Sequence, residues 1–351
     1  MLKYFILFIF FEKYFSSAQI IPILVLSHNR EDGLKRILSQ VTRYRPNATQ
    51  FPVFISQNNV DLTIELITNE FQSQFSNLFH WHPDRLKFTE GDQLNYDEHL
   101  IYGLDTLFKE MNYTDAIVLE DDIDISRDIF NYFGHFKAAL DLDETIWCIS
   151  AYNPNGLAKL VDKRQKDLVY RSDYFSEYGF MISRKVWIEL NFTGSDWMSF
   201  VHETMIRKNG VCLRPEISRS RHNGPLYSGL KQRDKLHHII PVIICKGKPN
   251  LGNTSNLSKY TKLNYDQELQ FNLNKSISLA PKDFYQHGTS NNSFILINYS
   301  NWDEFSNIAN FLKLRHDSIN DILPGSYKGT QSFYFNGSRI ITTFNKSIFI
   351  R

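Results

Sequence analysis

Three consecutive carboxylates, Glu120-Asp121-Asp122, follow the apolar run Ile117-Val118-Leu119, and Asp124 adds a fourth two residues on. A strand sends alternate side chains to opposite faces, so carboxylates that end a buried strand diverge and can serve different partners. Hard oxygen ligands of this kind suit Mg²⁺ or Mn²⁺, which take one or two carboxylates and complete their octahedra with phosphate oxygens and water. The chemistry implied is the handling of a diphosphate, with the metal offsetting charge on the departing group. Alone, an acidic triplet is more often a solvated turn. Its position after a buried strand is what makes it a candidate site.

The elements around the triplet supply that position. An Ile-, Leu- and Val-rich run from Ile20 to Leu26 ends at Ser27-His28-Asn29-Arg30, and Leu34, Ile37, Leu38 and Val41 follow at helical spacing. A second strand, Phe51 to Ser56, stops at Gln57-Asn58-Asn59, so the first sixty residues predict a β-α-β unit with a parallel pair. Further strands are expected at Leu86-Lys87-Phe88 and Ala116 to Leu119, with a helix from Tyr96 to about Met111 between them. A helix over Ile129 to Leu140, a strand Trp147 to Ala151, a long polar connection, and a strand and helix from Gly179 to Leu190 come next. Open parallel sheets bind ligands beyond the carboxyl ends of their strands, where Arg30, Asn58 and the triplet all fall. After about Lys246 the chain turns polar and rich in Asn and Ser. Phe294 to Ile297, Trp302 to Leu312 and Phe333 to Phe344 then suggest a small α+β appendage. The division expected is a leader over 1–19, a catalytic domain over 20–240 and a C-terminal domain over 241–351.

Thirty-nine basic against 38 acidic residues leave a formal charge of +1, so no global field draws the chain to nucleic acid or anionic lipid. At the start, Lys3 precedes the apolar run Tyr4 to Phe11, and Ser16-Ser17-Ala18 has the small residues favoured before signal cleavage. This reads as a secretory signal, with a short membrane anchor as the rival reading. Asn-X-Ser/Thr sequons at Asn47, Asn112, Asn191, Asn253, Asn256, Asn274, Asn291, Asn298, Asn336 and Asn345 agree with a lumenal course. Three cysteines, Cys148, Cys212 and Cys245, permit one disulfide and one thiol in an oxidising compartment. Neither a CxxC pair nor zinc-type spacing is present.

The chain resembles the α-1,3-mannosyl-glycoprotein 2-β-N-acetylglucosaminyltransferase family, which includes the protein O-mannose N-acetylglucosaminyltransferases. The resemblance rests on Ser27-His28-Asn29-Arg30, Tyr44-Arg45-Pro46, Phe51 to Gln57, Val118 to Asp122, Trp147 to Asn153, Tyr170 to Asp173 and Cys212 to Arg219, in the family's order. Weaker similarity continues through Tyr265-Asp266-Gln267, Trp302 to Phe305 and Ser326 to Gly329. It implies a GT-A type α/β fold with a mixed, mostly parallel sheet, UDP-N-acetylglucosamine (UDP-GlcNAc) as donor, Mn²⁺ as metal, and inverting transfer to the 2-hydroxyl of a mannose on a glycoprotein glycan in the Golgi lumen. It places Arg30 on the nucleotide, Asn58 and His99 on the uracil, Glu120 on the sugar, Asp121 on ribose or sugar, and Asp122 on Mn²⁺. Ser228 falls in Gly224 to Gly229, matching a loop that closes over UDP in the family.

An inverting transfer needs a base opposite the leaving group. The family's base segment corresponds to Asp196 to Arg207, where Glu203 takes the base position and Asp196, beside Trp197, is the alternative. The resemblance also implies a Cys148–Cys212 disulfide and leaves Cys245 as a free thiol. His28 and Asn59 stand where the family has a second bonded pair. Asn58 replaces the family's Asp and loses charge assistance at the uracil. The altered base segment and uracil contact admit two other readings, a UDP- or carbohydrate-binding pseudoenzyme and a transferase that uses another UDP-sugar.

Overall fold

The computed structural model describes residues 20–28, 30–57, 62–72, 75, 78–81, 96–194, 196–223, 242–247, 251, 254–287 and 294–344. The expected leader, the expected strand at Leu86 to Phe88, and the candidates Asn58 and Ser228 lie outside these residues.

Strand β1 (Ile23–Ser27) is buried on both sides, and its alternation is real: Ile23 and Val25 enter one core cluster, Leu24 and Leu26 the other. Helix α1 (Glu31–Tyr44) opens with Glu31 and Asp32, which complement its N-terminal dipole, and buries Leu34, Ile37, Leu38 and Val41. Strand β2 (Val53–Gln57) then pairs parallel with β1, Ile23 opposite Val53, which completes the β-α-β unit. Helix α2 (Leu62–Gln72) and strand β3 (Leu78–Trp81) follow, the latter parallel to β2 and not anticipated by the sequence reading. Helix α3 (Tyr96–Asp105) passes into a π-helical turn, Thr106–Glu110, ahead of strand β4 (Asp115–Glu120), which pairs parallel with β1.

Beyond the triplet come β5 (Ile123–Ile125), α4 (Ile129–Leu142), β6 (Ile146–Ser150), β7 (Val169–Ser172), β8 (Phe180–Ser183), α5 (Arg184–Leu190), α6 (Trp197–Lys208), β9 (Val211–Pro215) and β10 (Ser220–His222). Among the described residues, eight strands form one sheet in the order β3-β2-β1-β4-β8-β6-β9-β7. Only β8 and β7 run against the other six, so the sheet is mixed and mostly parallel, an α/β arrangement. Helices α1, α2 and α4 cover one face, and α3, α5 and α6 the other. Trp197, fully buried among Phe175, Trp187 and Phe192, seats the start of α6; truncating such a side chain to Ala costs about 3–5 kcal/mol.

Residues 254–344 add a 3₁₀ turn (Thr254–Tyr260), α7 (Lys262–Lys275), β11 (Ile277–Leu279), α8 (Pro281–His287), β12 (Phe294–Tyr299), α9 (Trp302–Leu312), β13 (Thr330–Phe335) and β14 (Ser338–Phe344). The segment read as merely polar therefore holds helix α7, no residue of which is buried, so it offered no apolar stripe to read. A second sheet runs β11-β12-β14-β13. Its β13–β14 hairpin turns on Asn336-Gly337, both at positive φ (45° and 89°), as a tight two-residue turn requires. Cys148 and Cys212 face each other across β6 and β9 and are bonded, and Cys245 is a buried free thiol.

Candidate functional site

The carboxyl ends of β1, β2 and β4 converge, as the β-α-β reading requires, and the triplet occupies the turn between β4 and β5. Helix α1 approaches it so closely that a Cβ on Gly33 would collide with the Asp121 carbonyl oxygen, which fixes glycine there. The three acids then take different surroundings.

Asp121 is fully buried, and both its oxygens accept from protein donors: Oδ2 from the His28 backbone N–H at 2.5 Å, Oδ1 from Arg30 Nη1 at 2.8 Å. Burial pushes its carboxyl up, opposed by those two donors. Asp122 accepts from the same Arg30 nitrogen at 2.8 Å through Oδ2, with His222 Nε2 3.4 Å away, while its Oδ1 is buried and has no hydrogen-bond partner among the described residues. Burial raises the Asp122 carboxyl, but His222 and Arg30 outweigh it and hold the group below the usual carboxylate range. Glu120 is half-buried and accepts from the Tyr96 hydroxyl at 3.1 Å. Burial first, then the charges of Asp122 and Glu177, push it well above the ordinary range. The neighbouring acids thus diverge, Asp122 held low and Glu120 pushed up.

Arg30 at the head of α1 is the shared cation; burial works against its charge, and Asp122 and Asp121 more than restore it. His99 on α3 lies under the end of β2, its Nε2 2.9 Å from Ser56 Oγ. Burial brings its pKa down to about 4, so it is neutral at ordinary pH. Among the described residues no group of three or more His, Cys, Asp and Glu side chains is arranged to hold a metal ion. What fits a divalent cation is the single free oxygen of an anionic Asp122, the donor set for an ion completed by substrate phosphate and water rather than by a protein cage.

The base candidates lie on α6. Asp196 caps that helix: its carboxylate accepts from the Ser199 N–H at 3.1 Å, and its own N–H donates to Asp97 beside Tyr96 at 2.6 Å. This places the head of α6 next to the residue that holds Glu120. Glu203 lies two turns on, exposed, while its neighbour His202 turns inward to accept from the Phe175 N–H at 3.0 Å.

Three residues at the site escaped the sequence reading. Tyr96 fixes Glu120. His222, on β10, reaches Asp122 because β10 pairs with β5, His222 opposite Ile123. Glu177, in the β7–β8 connection, is half-buried; burial raises its carboxyl, Arg315 opposes this and Asp122 adds to it. Only His222 had a signal, lying just past the Cys212 to Arg219 motif. The neighbouring Asp124 is anchored by Gln40, Arg36, Arg221 and Asn223, and so ties α1 to β10.

The sequence profile of the GNT-I family matches residues 12–349. An Arabidopsis thaliana protein named alpha-1,3-mannosyl-glycoprotein 2-beta-N-acetylglucosaminyltransferase is 25% identical over 324 residues, covering 90% of this chain and 72% of its own length. Among solved structures, the mannosyltransferase PcManGT from Pyrobaculum calidifontis in complex with GDP-Man and Mn²⁺ is similar over 62% of this chain and 61% of its own, at 12% identity and a TM-score of 0.40. S. aureus TarS in complex with UDP-GlcNAc is similar over 60% of each chain, at 8% identity and a TM-score of 0.41. The chain thus spans about three fifths of each of these two structures.

Proposed function

Because the chain belongs to the GNT-I family, we propose that it is a GT-A type N-acetylglucosaminyltransferase of glycoprotein glycosylation, moving GlcNAc with inversion from UDP-GlcNAc to the 2-hydroxyl of a mannose. The observation that carries this reading is Asp122, an anionic, buried carboxylate with one unsatisfied oxygen at the carboxyl end of β4. Asp122 would hold Mn²⁺, which when bound supplies charge neutralisation for the leaving diphosphate. Arg30, beside it, adds a fixed cation for the nucleotide, and Asp121 orients Arg30. Glu120, held by Tyr96, would meet a sugar hydroxyl. Asn58 and His99 would contact the uracil, and Ser228 would belong to the loop over UDP.

The acceptor proton falls to Glu203, or to Asp196 as the alternative, on the helix whose head adjoins Tyr96 and Asp97. Two observations favour a second reading, a pseudoenzyme that binds UDP without turnover: Asp196 already serves as a helix cap, and Glu203 is exposed. The Cys148–Cys212 bond accords with an oxidising lumen, and we place the protein in the Golgi.

The test is transfer from UDP-GlcNAc to a mannoside with Mn²⁺ present or chelated. Wild-type protein is expected to transfer only with the metal. Asp122→Asn is expected to lose on the order of 10²–10³ in turnover with an unchanged circular dichroism spectrum. Calorimetric UDP and Mn²⁺ binding without transfer supports the pseudoenzyme instead, and turnover with a different member of a UDP-sugar panel reassigns the donor.

A further inference from the structure

A cavity of 170 Å³ lies where edge strand β7, helix α7 and the C-terminal sheet meet, away from the triplet. It exceeds the engineered cavity of about 150 Å³ that accepts benzene. One wall carries Arg214, from the Cys212 to Arg219 motif that the donor site does not use. Arg214 is 3% exposed and lies over the Tyr170 ring; its Nε and Nη2 donate to the Gly325 and Ser332 carbonyls at 3.2 and 3.4 Å, and its Nη1 has no hydrogen-bond partner among the described residues. The Tyr170 hydroxyl and Arg171 Nε, from residues lining the same cavity, are buried and likewise lack a hydrogen-bond partner among the described residues. Glu216, whose charge reaches Arg214, is taken by Arg339 through two bonds of 3.1 Å. Asp162, whose charge also reaches Arg339, is taken by Arg164 through two bonds of 2.9 Å, so Arg214, Arg339 and Glu216 leave one buried positive charge in excess. A guanidinium cannot shed its proton at accessible pH, so that charge persists and calls for an anion. The rest of the lining is chiefly apolar and aromatic, including Tyr260, Tyr265 and Leu269, with Lys259 and Glu268 as exposed side chains of opposite charge.

We propose that this cavity binds a small, ring-bearing organic acid, with its carboxylate on Arg214 Nη1 and its ring against Tyr260 and Tyr265. An oxyanion satisfies the orphaned donors by charge-assisted hydrogen bonds, and a ring fills the apolar remainder. The site is separate from the donor chemistry and stands whether or not the chain transfers sugar.

Titration calorimetry and thermal unfolding of the full chain with benzoate and glucuronate, against benzyl alcohol and glucose as their uncharged counterparts, test it. At least one acid is expected to bind and raise the melting temperature, with its uncharged counterpart on the order of tenfold weaker. Arg214→Met is expected to abolish the response. Because that change also removes two bonds from β9 to the C-terminal domain, Leu269→Trp serves as a second variant that fills the cavity from its rim and leaves those bonds in place. Binding of neither acid, equal binding of the uncharged ring, or a response that survives in either folded variant overturns the proposal.

Discussion

Asp121 is sealed from solvent with both oxygens committed, whereas Asp122, one residue on, keeps an oxygen free. Adjacent residues thus divide into a support and a candidate ligand, and Arg30 bridges them through a single nitrogen. Removing Arg30 leaves Asp121 buried and short of a partner, a cost set between exposed and fully buried pairs because the arginine side chain is 33% exposed. Arg30→Ala is accordingly expected to lower the unfolding free energy by about 2 kcal/mol in urea titrations, in addition to weakening nucleotide binding. A stability unchanged from wild type would show that Arg30 serves the ligand alone. The triplet and Arg30 were legible because acids after an apolar run, and a basic residue at a strand end, are local patterns. Tyr96 and Glu177 were not, since each reaches the site from a separate element and neither sits in a telling spacing, and His222 had only its place just past the Cys212 to Arg219 motif.

At the level of elements, the first β-α-β unit could be read from periodicity alone, because β1 and β2 are fully buried runs and α1 carries a clean apolar stripe. Strand β7 and helix α7 could not: the first is four residues long and was met only as a motif, and the second packs without burying a single residue. Helix α6 poses the sharper question, since its head carries Asp196 at positive φ (70°) as the N-cap. Asn keeps both the cap and the left-handed conformation but not the negative charge, so Asp196→Asn separates structure from chemistry. Asp196→Ala is expected to lose about 1 kcal/mol of stability through the lost cap, and Asp196→Asn close to none. If transfer in Asp196→Asn nevertheless falls on the order of 10²-fold, Asp196 rather than Glu203 is the base.

Across the whole molecule, the helices on one face of the main sheet bring two histidines into the core, His99 on α3 and His202 on α6, 2% and 0% exposed. Both are pushed down to about 4, first by burial, and His202 Nε2 must stay unprotonated to accept from the Phe175 N–H. An unfolded chain binds these protons near pH 6.5, so between that value and 4 the unfolded state holds more protons and stability rises with pH. The stabilising contribution of each neutral histidine is present above pH 6.5 and lost as the solution is acidified toward 4. Asp173 opposes the trend: burial raises its carboxyl to about 6, which favours the folded state as acid is added over the range from 3.8 to 6. The net profile mixes these signs, and a difference measurement separates them. His99→Gln keeps an amide within reach of Ser56 and removes one titration. On going from pH 7 to pH 5 it is expected to lose about 2 kcal/mol less unfolding free energy than wild type, read from urea titrations at the two values. Equal losses in the two proteins would mean that His99 is protonated or exposed in the folded state, and the packing of α3 against β2 around it would have to be redrawn.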